Sequence, residues 1–482
     1  MTTIPSPKVR LWSHPRGLYV LFFSEMWERF SYYGMRALLV LYLTQHLLYQ
    51  RQAALEIYGL YTGLVYLTPI IGGFIADRWL GYRGTVLSGA ILMMLGHFAM
   101  AFPQFLFPAL ALLILGNGLF KPNISTIVGS LYLSDDPRRD AAFTIFYMGI
   151  NLGAFLSPLV CGALADAYSP HWGFAAAGVG MLISLIIFLG GLPTLRPAQD
   201  PYKTLNKTEI LRILLTTIAG FVISVGGVQA ARLLLGRTLV STLFAWTLIG
   251  LLLAVFIYLI FRLKNTSERL RTLSIFILGI FAALFWIGFE QAGGTLNLFA
   301  QHHTDRTLAL GSWSFKKDIP ATWFQSLNPL FIFILAPLFS LFWVWLAARG
   351  REPHTPVKMS WGLLLLGLGF VLMSLADQEA KTGRLVSPLW LIGVYLLHTL
   401  GELCLSPVGL SMVTRTAPAS VAALLMGVWF LYSSAGNYTA GISEAFLQKY
   451  HLPLYPTLAA LSLAAGLLLW LLAKPIHRLM TA

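Results

Sequence analysis

Apolar runs of membrane-crossing length recur along the chain, parted by short polar turns rich in lysine and arginine. A helix needs about 20 apolar residues to cross the hydrocarbon layer. Runs of that kind fall at 18–46, 56–76, 84–102, 106–130, 140–165, 172–192, 210–230, 239–261, 272–300, 322–347, 359–376, 388–414, 419–446 and 454–473, which predicts fourteen transmembrane helices. Several exceed the bilayer thickness, implying tilt or extension into the headgroups. The first run carries Glu25, Glu28 and Arg29 and is too long for the apolar core of a cleavable signal peptide.

The turns set the orientation. With the N-terminus inside, 21 of the 33 basic residues fall in cytoplasmic segments, among them Lys8, Arg10, Arg196, Lys203, Arg262, Arg269 and Arg478. Nine fall in outer loops, and three, Arg29, Arg36 and Lys121, inside spans. That bias predicts both termini in the cytoplasm. The longest basic stretch, 193–212, follows the sixth span, and RLKNTSERLR at 262–271 follows the eighth; the two spans between them contain no acidic residue. The expected division is a six-helix bundle at 1–192, a linker with two extra helices at 193–271, and a second six-helix bundle at 272–482. Many transporters are built from two such halves with a site at the midplane between them.

Composition narrows the function classes. Of the 482 residues 57% are hydrophobic and 11% charged, against about 25% charged in a soluble domain. There is too little polar surface for a soluble globule, and the apolar excess excludes disorder. Cys161 and Cys404, the two cysteines, both sit in apolar runs, so neither a disulfide framework nor a cysteine metal site is expected. The net charge of +14 is accounted for by topology and anionic lipid headgroups, without nucleic acid. No nucleophile elbow, phosphate-binding glycine motif or HExxH pattern is present, so no enzyme, metal or cofactor is expected.

Seven ionisable residues lie well inside spans: Glu25, Glu28, Arg29, Arg36, Lys121, Glu290 and Glu402. Each would cost about 2.5–3.5 kcal/mol at the bilayer centre, so together they must face one another or water. Glu25, Glu28, Arg29, Tyr32, Tyr33 and Arg36 recur at three- and four-residue steps, along one face of the first helix. Lys121 precedes Pro122, Glu290 sits among Gly288, Gly293 and Gly294, and Glu402 lies upstream of Pro407. Charge beside such a break is the pattern of a gating helix that lines a cavity. Four negative and three positive groups leave one surplus negative charge, which suits a carboxylate that binds and releases a proton. In GGFIADRWLGYRG, Asp77, Arg78 and Arg83 fall at the inner end of the second span, where acid–base pairs would lock or release the inner face. His398, one turn before Glu402, reads first as a hydrogen-bonded packing residue and second as a proton relay.

These residues resemble a known family. SEMWERFSYYGMRALL (24–39) resembles the ExxER motif of the proton-coupled oligopeptide transporters of the major facilitator superfamily. GGFIADRWLGYRGTV (72–86), FTIFYMGINLGAF (143–155), GLFKPNIS, FWIGFEQ, FQSLNP and GELCLSPVGLS match the family in order and spacing. The resemblance implies an all-α polytopic membrane fold of two six-helix bundles, with the inserted helix pair of bacterial members, in a bacterial inner membrane. It implies a proton-coupled symporter that imports di- and tripeptides by alternating access as a monomer, with H+ as coupling ion and no cofactor. Glu25, Glu28 and Arg29 would form the proton-sensitive cluster, and Lys121 would pair with it or with Glu402. Arg29, Arg36 and Lys121 would face the peptide carboxylate, where charge-assisted hydrogen bonds are strong. Glu290, with Asn328, would take the amino terminus. Tyr32, Tyr33, Tyr66, Asn151 and Trp429 would line the pocket, and Glu402 and Ser406 would complete it. Some members carry a histidine near the position of Gly59, so proton coupling here is expected to fall to carboxylates. Two alternatives are a carrier of another small anionic or zwitterionic solute on the same scaffold, and a non-transporting peptide sensor. The sensor would need an output domain for which the termini are too short.

Overall fold

The computed structural model describes residues 14–133, 136, 138–195, 207–234, 236–307, 309–310, 313–314 and 318–482. Lys8, Arg10, Arg196, Lys203 and most of the basic stretch 193–212 lie outside the described residues. The helices are, in order, α1 (Arg16–Leu41), α2 (Arg51–Leu67), α3 (Pro69–Ile75), α4 (Gly81–Ala99), α5 (Leu106–Ser130), α6 (Arg139–Ala167), α7 (Pro170–Gly191), α8 (Lys207–Leu234), α9 (Gly236–Arg262), α10 (Thr266–Phe289), α11 (Thr295–His302), α12 (Leu327–Ala348), α13 (Thr355–Ala380), α14 (Leu389–Thr416), α15 (Ala422–Lys449), α16 (Leu454–Leu471) and α17 (Ala473–Met480).

Among the described residues twelve helical segments are long and apolar enough to cross a membrane. One of them, Arg51–Ala99, has 49 residues and as a single helix would reach about 74 Å. The chain instead turns at Gly81, whose φ of 70° suits a residue without Cβ, so α2–α3 and α4 make separate passes. The strongly charged α1 is a further pass outside the set of twelve, and the total is the fourteen that the apolar runs predict. Two runs prove to be broken. The second splits at Pro69, where Thr68 Oγ1 donates to Leu64 O at 3.1 Å and to Ile114 O at 2.9 Å. The ninth splits at a short turn, Glu290–Gly293, between α10 and α11.

Each half has its own apolar core. Leu18, Met35, Phe120, Phe174 and Phe188 belong to a cluster built chiefly from α1–α7. Phe285, Leu363, Phe370, Trp429 and Leu469 belong to a second one built chiefly from α10–α16. The inserted pair lies on the outside. Gly220 of α8 meets Leu92 and Leu115, while α9 packs Phe244 against Tyr438 of α15, with ring centroids 5.1 Å apart. Ser241 and the Tyr438 hydroxyl are 2.7 Å apart. Ile218, Val222, Ile223, Trp246 and Phe261 of this pair are exposed, as apolar side chains facing lipid would be.

The halves meet tightly at one end. Asn297 Nδ2 donates to Ala37 O at 2.8 Å, Trp323 Nε1 to Leu159 O at 3.1 Å and Ser326 Oγ to Phe155 O at 2.8 Å. Arg51 clasps Glu444 through two bonds of 2.6 and 2.9 Å. Between these contacts α2 crosses α15 at Gly59 and Gly441; a Cβ on Gly441 would lie 2.5 Å from Gly59 Cα. Because backbone fills that space, Gly441→Val is expected to destabilise this closure by about 1–3 kcal/mol. Cysteine probes placed at Gln52 and Gln448, which are hydrogen-bonded at 2.9 Å, would then crosslink less readily. Undiminished crosslinking would show that the crossing tolerates the extra volume.

Candidate functional site

The face of α1 that carries charge is buried by its neighbours. Glu25, Glu28 and Arg29 are each at most 3% exposed. Arg29 Nη2 donates to Glu28 Oε1 at 2.7 Å and its Nε reaches both Glu28 and, at 3.2 Å, Glu25 Oε1. Asn117 Nδ2 of α5 gives Glu28 a further donor at 3.2 Å. Glu28 is thus held from two helices, whereas Glu25 Oε2 is buried without a partner among the described residues. A single guanidinium serves two carboxylates, so this cluster carries a net negative charge when all three are ionised.

Two turns along, Arg36 leaves its own helix for the other half of the molecule. Its Nη2 donates to Glu290 Oε2 at 2.7 Å and its Nε to the Tyr58 hydroxyl at 2.7 Å. Tyr58 OH donates in turn to Glu290 Oε2 at 3.4 Å. The break after α10 makes this possible: a Cβ on Gly293 would lie 1.9 Å from Tyr58 OH, so glycine leaves room for the phenol. This triad ties α1 and α2 to the α10–α11 turn.

Between the halves lies a cavity of about 350 Å³. Its walls bring together Glu25, Arg29, Tyr33, Arg36, Tyr66, Lys121, Asn151, Glu290, Asn328, Glu402, Ser406 and Trp429, side chains distributed over both halves of the sequence. Asn328 Nδ2 donates to Glu402 Oε2 at 2.8 Å and to Thr399 Oγ1 at 3.1 Å. Lys121 Nζ sits 4.5 Å from the centre of the Tyr66 ring, a cation–π contact. Arg29, Arg36 and Lys121 therefore supply the positive part of the wall, and Glu25, Glu290 and Glu402 the negative part. Tyr147 and Leu410, also on the wall, are 48% and 38% exposed, so the cavity opens at the end opposite the Gly59–Gly441 crossing.

Some expected placements differ. Tyr32 lies outside the cavity wall and stacks on Tyr61 at 6.4 Å. Neighbouring residues on a helix point about 100° apart, so Tyr33 faces the cavity and Tyr32 the helix packing. Lys121 pairs in this state with an aromatic face and makes no ion pair with the α1 cluster or with Glu402 within 4 Å. Asp77 accepts from Tyr82 OH at 2.9 Å, and the Arg78 guanidinium lies 4.7 Å from the centre of the Phe74 ring; Arg83 sits in the first turn of α4. All three are at the open end. Tyr58, Asn117 and Tyr147 are the contributors that spacing overlooked. Asn117, four residues before Lys121 in an apolar run, carried the clearest signal of the three.

The sequence profile of the POT family matches residues 83–457. The chain is 39% identical to the peptide transporter YePEPT of Yersinia enterocolitica, over 97% of this chain and 95% of that one. It is 34% identical to the di-/tripeptide transporter of Lactococcus lactis subsp. cremoris, over 100% and 99% of the two chains. Among solved structures, the crystal structure of a peptide transporter POT in complex with sulfate superposes with a TM-score of 0.85 at 38% identity, covering 98% of this chain and 97% of that one. With sequence, architecture and comparisons in accord, this multi-pass membrane protein belongs to the POT family of transporters.

Proposed function

We propose that the chain is a proton-coupled symporter that imports di- and tripeptides by alternating access. The observation that carries this reading is the cavity between the halves, with cations on one part of its wall and carboxylates on another. A zwitterionic peptide has matching charges at its two ends and a variable middle. Arg29, Arg36 and Lys121 would receive the carboxylate and Glu290, Glu402 and Asn328 the amino group, while Tyr33, Tyr66, Asn151, Ser406 and Trp429 would accommodate side chains. The relatives' names support the substrate class. Glu25, Glu28 and Arg29 would couple the proton, with H+ the coupling ion and no cofactor or catalytic reaction. Asp77, Arg78 and Arg83 would serve the inner gate.

Both termini would lie in the cytoplasm of a bacterial inner membrane; the basic turns support that orientation. On that orientation the structure is an inward-open state: the Arg51–Glu444 end is external and the cavity opens inward. The rocking halves would be 1–192 and 272–482, with 193–271 as the inserted linker, and a single chain would carry out the cycle; the separate apolar cores support that division. Protonation and peptide binding from outside would weaken an internal salt bridge, the halves would rock, and both cargoes would leave inward. One proton crossing 100 mV and one pH unit supplies about 3.7 kcal/mol, roughly a 500-fold gradient.

Peptide length tests the substrate class. In counterflow of labelled dialanine by the reconstituted protein, unlabelled di- and trialanine are expected to compete, and alanine and tetraalanine to compete at least tenfold more weakly. Equal competition by free alanine would contradict a site that spans two peptide termini.

A further inference from the structure

The inserted helix pair ends in a feature that peptide transport does not use. Between the last turn of α9 and the start of α10 lies a small groove of about 160 Å³, walled by Phe256, Leu259, Ile260, Leu263, Leu270 and Leu273. Arg269 and Thr272 stand at its edge. Thr272 is 4% exposed and its hydroxyl has no hydrogen-bond partner among the described residues. A threonine inside a helix ordinarily donates to the carbonyl one turn back, and this one does not. The turn above the groove, RLKNTSERLR, holds four basic residues and one acid, Glu268. Arg262, Lys264 and Arg269 are exposed and none has a carboxylate within 4 Å among the described residues. Arg269 uses its Nε on Leu263 O at 2.7 Å, which fixes the stem and leaves both terminal nitrogens without a partner among the described residues. Arg271 is held separately, on Ala482 O at 2.8 Å. The positive end of α10 points to the same place.

We propose that this turn is a binding site for an anionic phospholipid. The phosphate sits among Arg262, Lys264 and Arg269, an ester or phosphate oxygen accepts from Thr272 Oγ1, and an acyl chain runs into the groove along α9. An apolar slot directly beneath unpaired cations, beside α9, which exposes Trp246, Leu253, Ile257 and Phe261, complements a lipid, which supplies negative charge and hydrocarbon together; a free phosphate would leave the slot unused. Basic pockets at the cytoplasmic ends of transmembrane helices favour such headgroups. The inserted pair is thereby anchored to the inner leaflet. The orientation is that of the proposed function, but binding is read without transport, so the two fail separately.

The test is native mass spectrometry of the full chain in detergent, titrated with phosphatidylglycerol, phosphatidylcholine or glycerol 3-phosphate. The wild type is expected to retain phosphatidylglycerol in preference to phosphatidylcholine and to bind no glycerol 3-phosphate at the same concentration. The triple variant Arg262→Gln, Lys264→Gln, Arg269→Gln is expected to bind phosphatidylglycerol about tenfold more weakly or worse. Thr272→Val is expected to show a smaller loss. A control that removes three charges elsewhere at the same end, Arg349→Gln, Arg351→Gln, Lys474→Gln, is expected to bind as the wild type. Monodisperse elution and unchanged helical circular dichroism establish that each variant is folded. Equal retention by the site variant and the control, or no preference for the anionic lipid, would overturn the site. Glycerol 3-phosphate binding as tightly as the lipid would assign it to soluble phosphates instead.

Discussion

Arg36→Ala is expected to bring peptide uptake to background and to lower the midpoint of thermal unfolding. Arg36 is 8% exposed, and its guanidinium is shared between Glu290 and Tyr58, both at 2.7 Å. Removing one partner of a buried pair leaves the other charge uncompensated, at about 3–5 kcal/mol. That is more than a hundredfold in any equilibrium that depends on it. Glu290 is the charge left behind, and it lies on the opposite half, so the loss falls on the junction that holds the outer end closed. The double variant Arg36→Ala, Glu290→Gln separates two contributions. It is expected to recover most of the thermal stability, because no carboxylate is then stranded, but not transport, because the cation for the peptide carboxylate is still missing. Normal uptake by Arg36→Ala would reduce this pair to scaffolding.

The second large effect concerns the two acids that share Arg29. Glu25→Gln is expected to preserve peptide exchange at equal pH and to abolish accumulation driven by a proton gradient. Glu25 lies on the cavity wall, and one of its oxygens is buried without a partner, so it has a free position to carry a proton. Glu28 lies off that wall and takes donors from Arg29 and Asn117. In Glu28→Gln the new amide must place an NH2 against one of those donors, which would cost about 1–3 kcal/mol as an unsatisfied buried group. That variant is therefore expected to lose thermal stability as well as coupling. Exchange and accumulation measured on both variants would decide the matter. If Glu25→Gln still accumulates peptide while a stable Glu28→Gln does not, the coupling acid is Glu28.

How much of this could be read in the sequence follows from the kind of signal each feature leaves. The α1 cluster was legible because charge at three- and four-residue steps in an apolar run has a large energetic penalty unless one buried face collects it. The fourteen passes were legible for the same reason, including α1, which is too charged to register as an ordinary apolar span. The Arg36–Glu290 contact joins residues 254 positions apart; no periodicity encodes that distance, and the family resemblance alone brought both to one site. Tyr58 was overlooked because a tyrosine in an apolar helix is common, and its role appears only when Gly293 is seen to make room for its hydroxyl. Tyr32 and Tyr33 share a motif but not a helix face, so the motif alone did not separate the tyrosine on the cavity wall from the one beside it. The breaks at Pro69 and Glu290 left Pro and Gly in the sequence, which mark an interruption without revealing that a new helix begins at once.

The claim on which the rest depends is that a proton gradient does work on a peptide through this cavity. Purified protein in liposomes, with an inward proton gradient and an inside-negative potential, should concentrate labelled dialanine above its external level, and an uncoupler should collapse that accumulation to equilibration. Accumulation that survives the uncoupler, or a folded protein that neither accumulates nor exchanges the peptide, would contradict it.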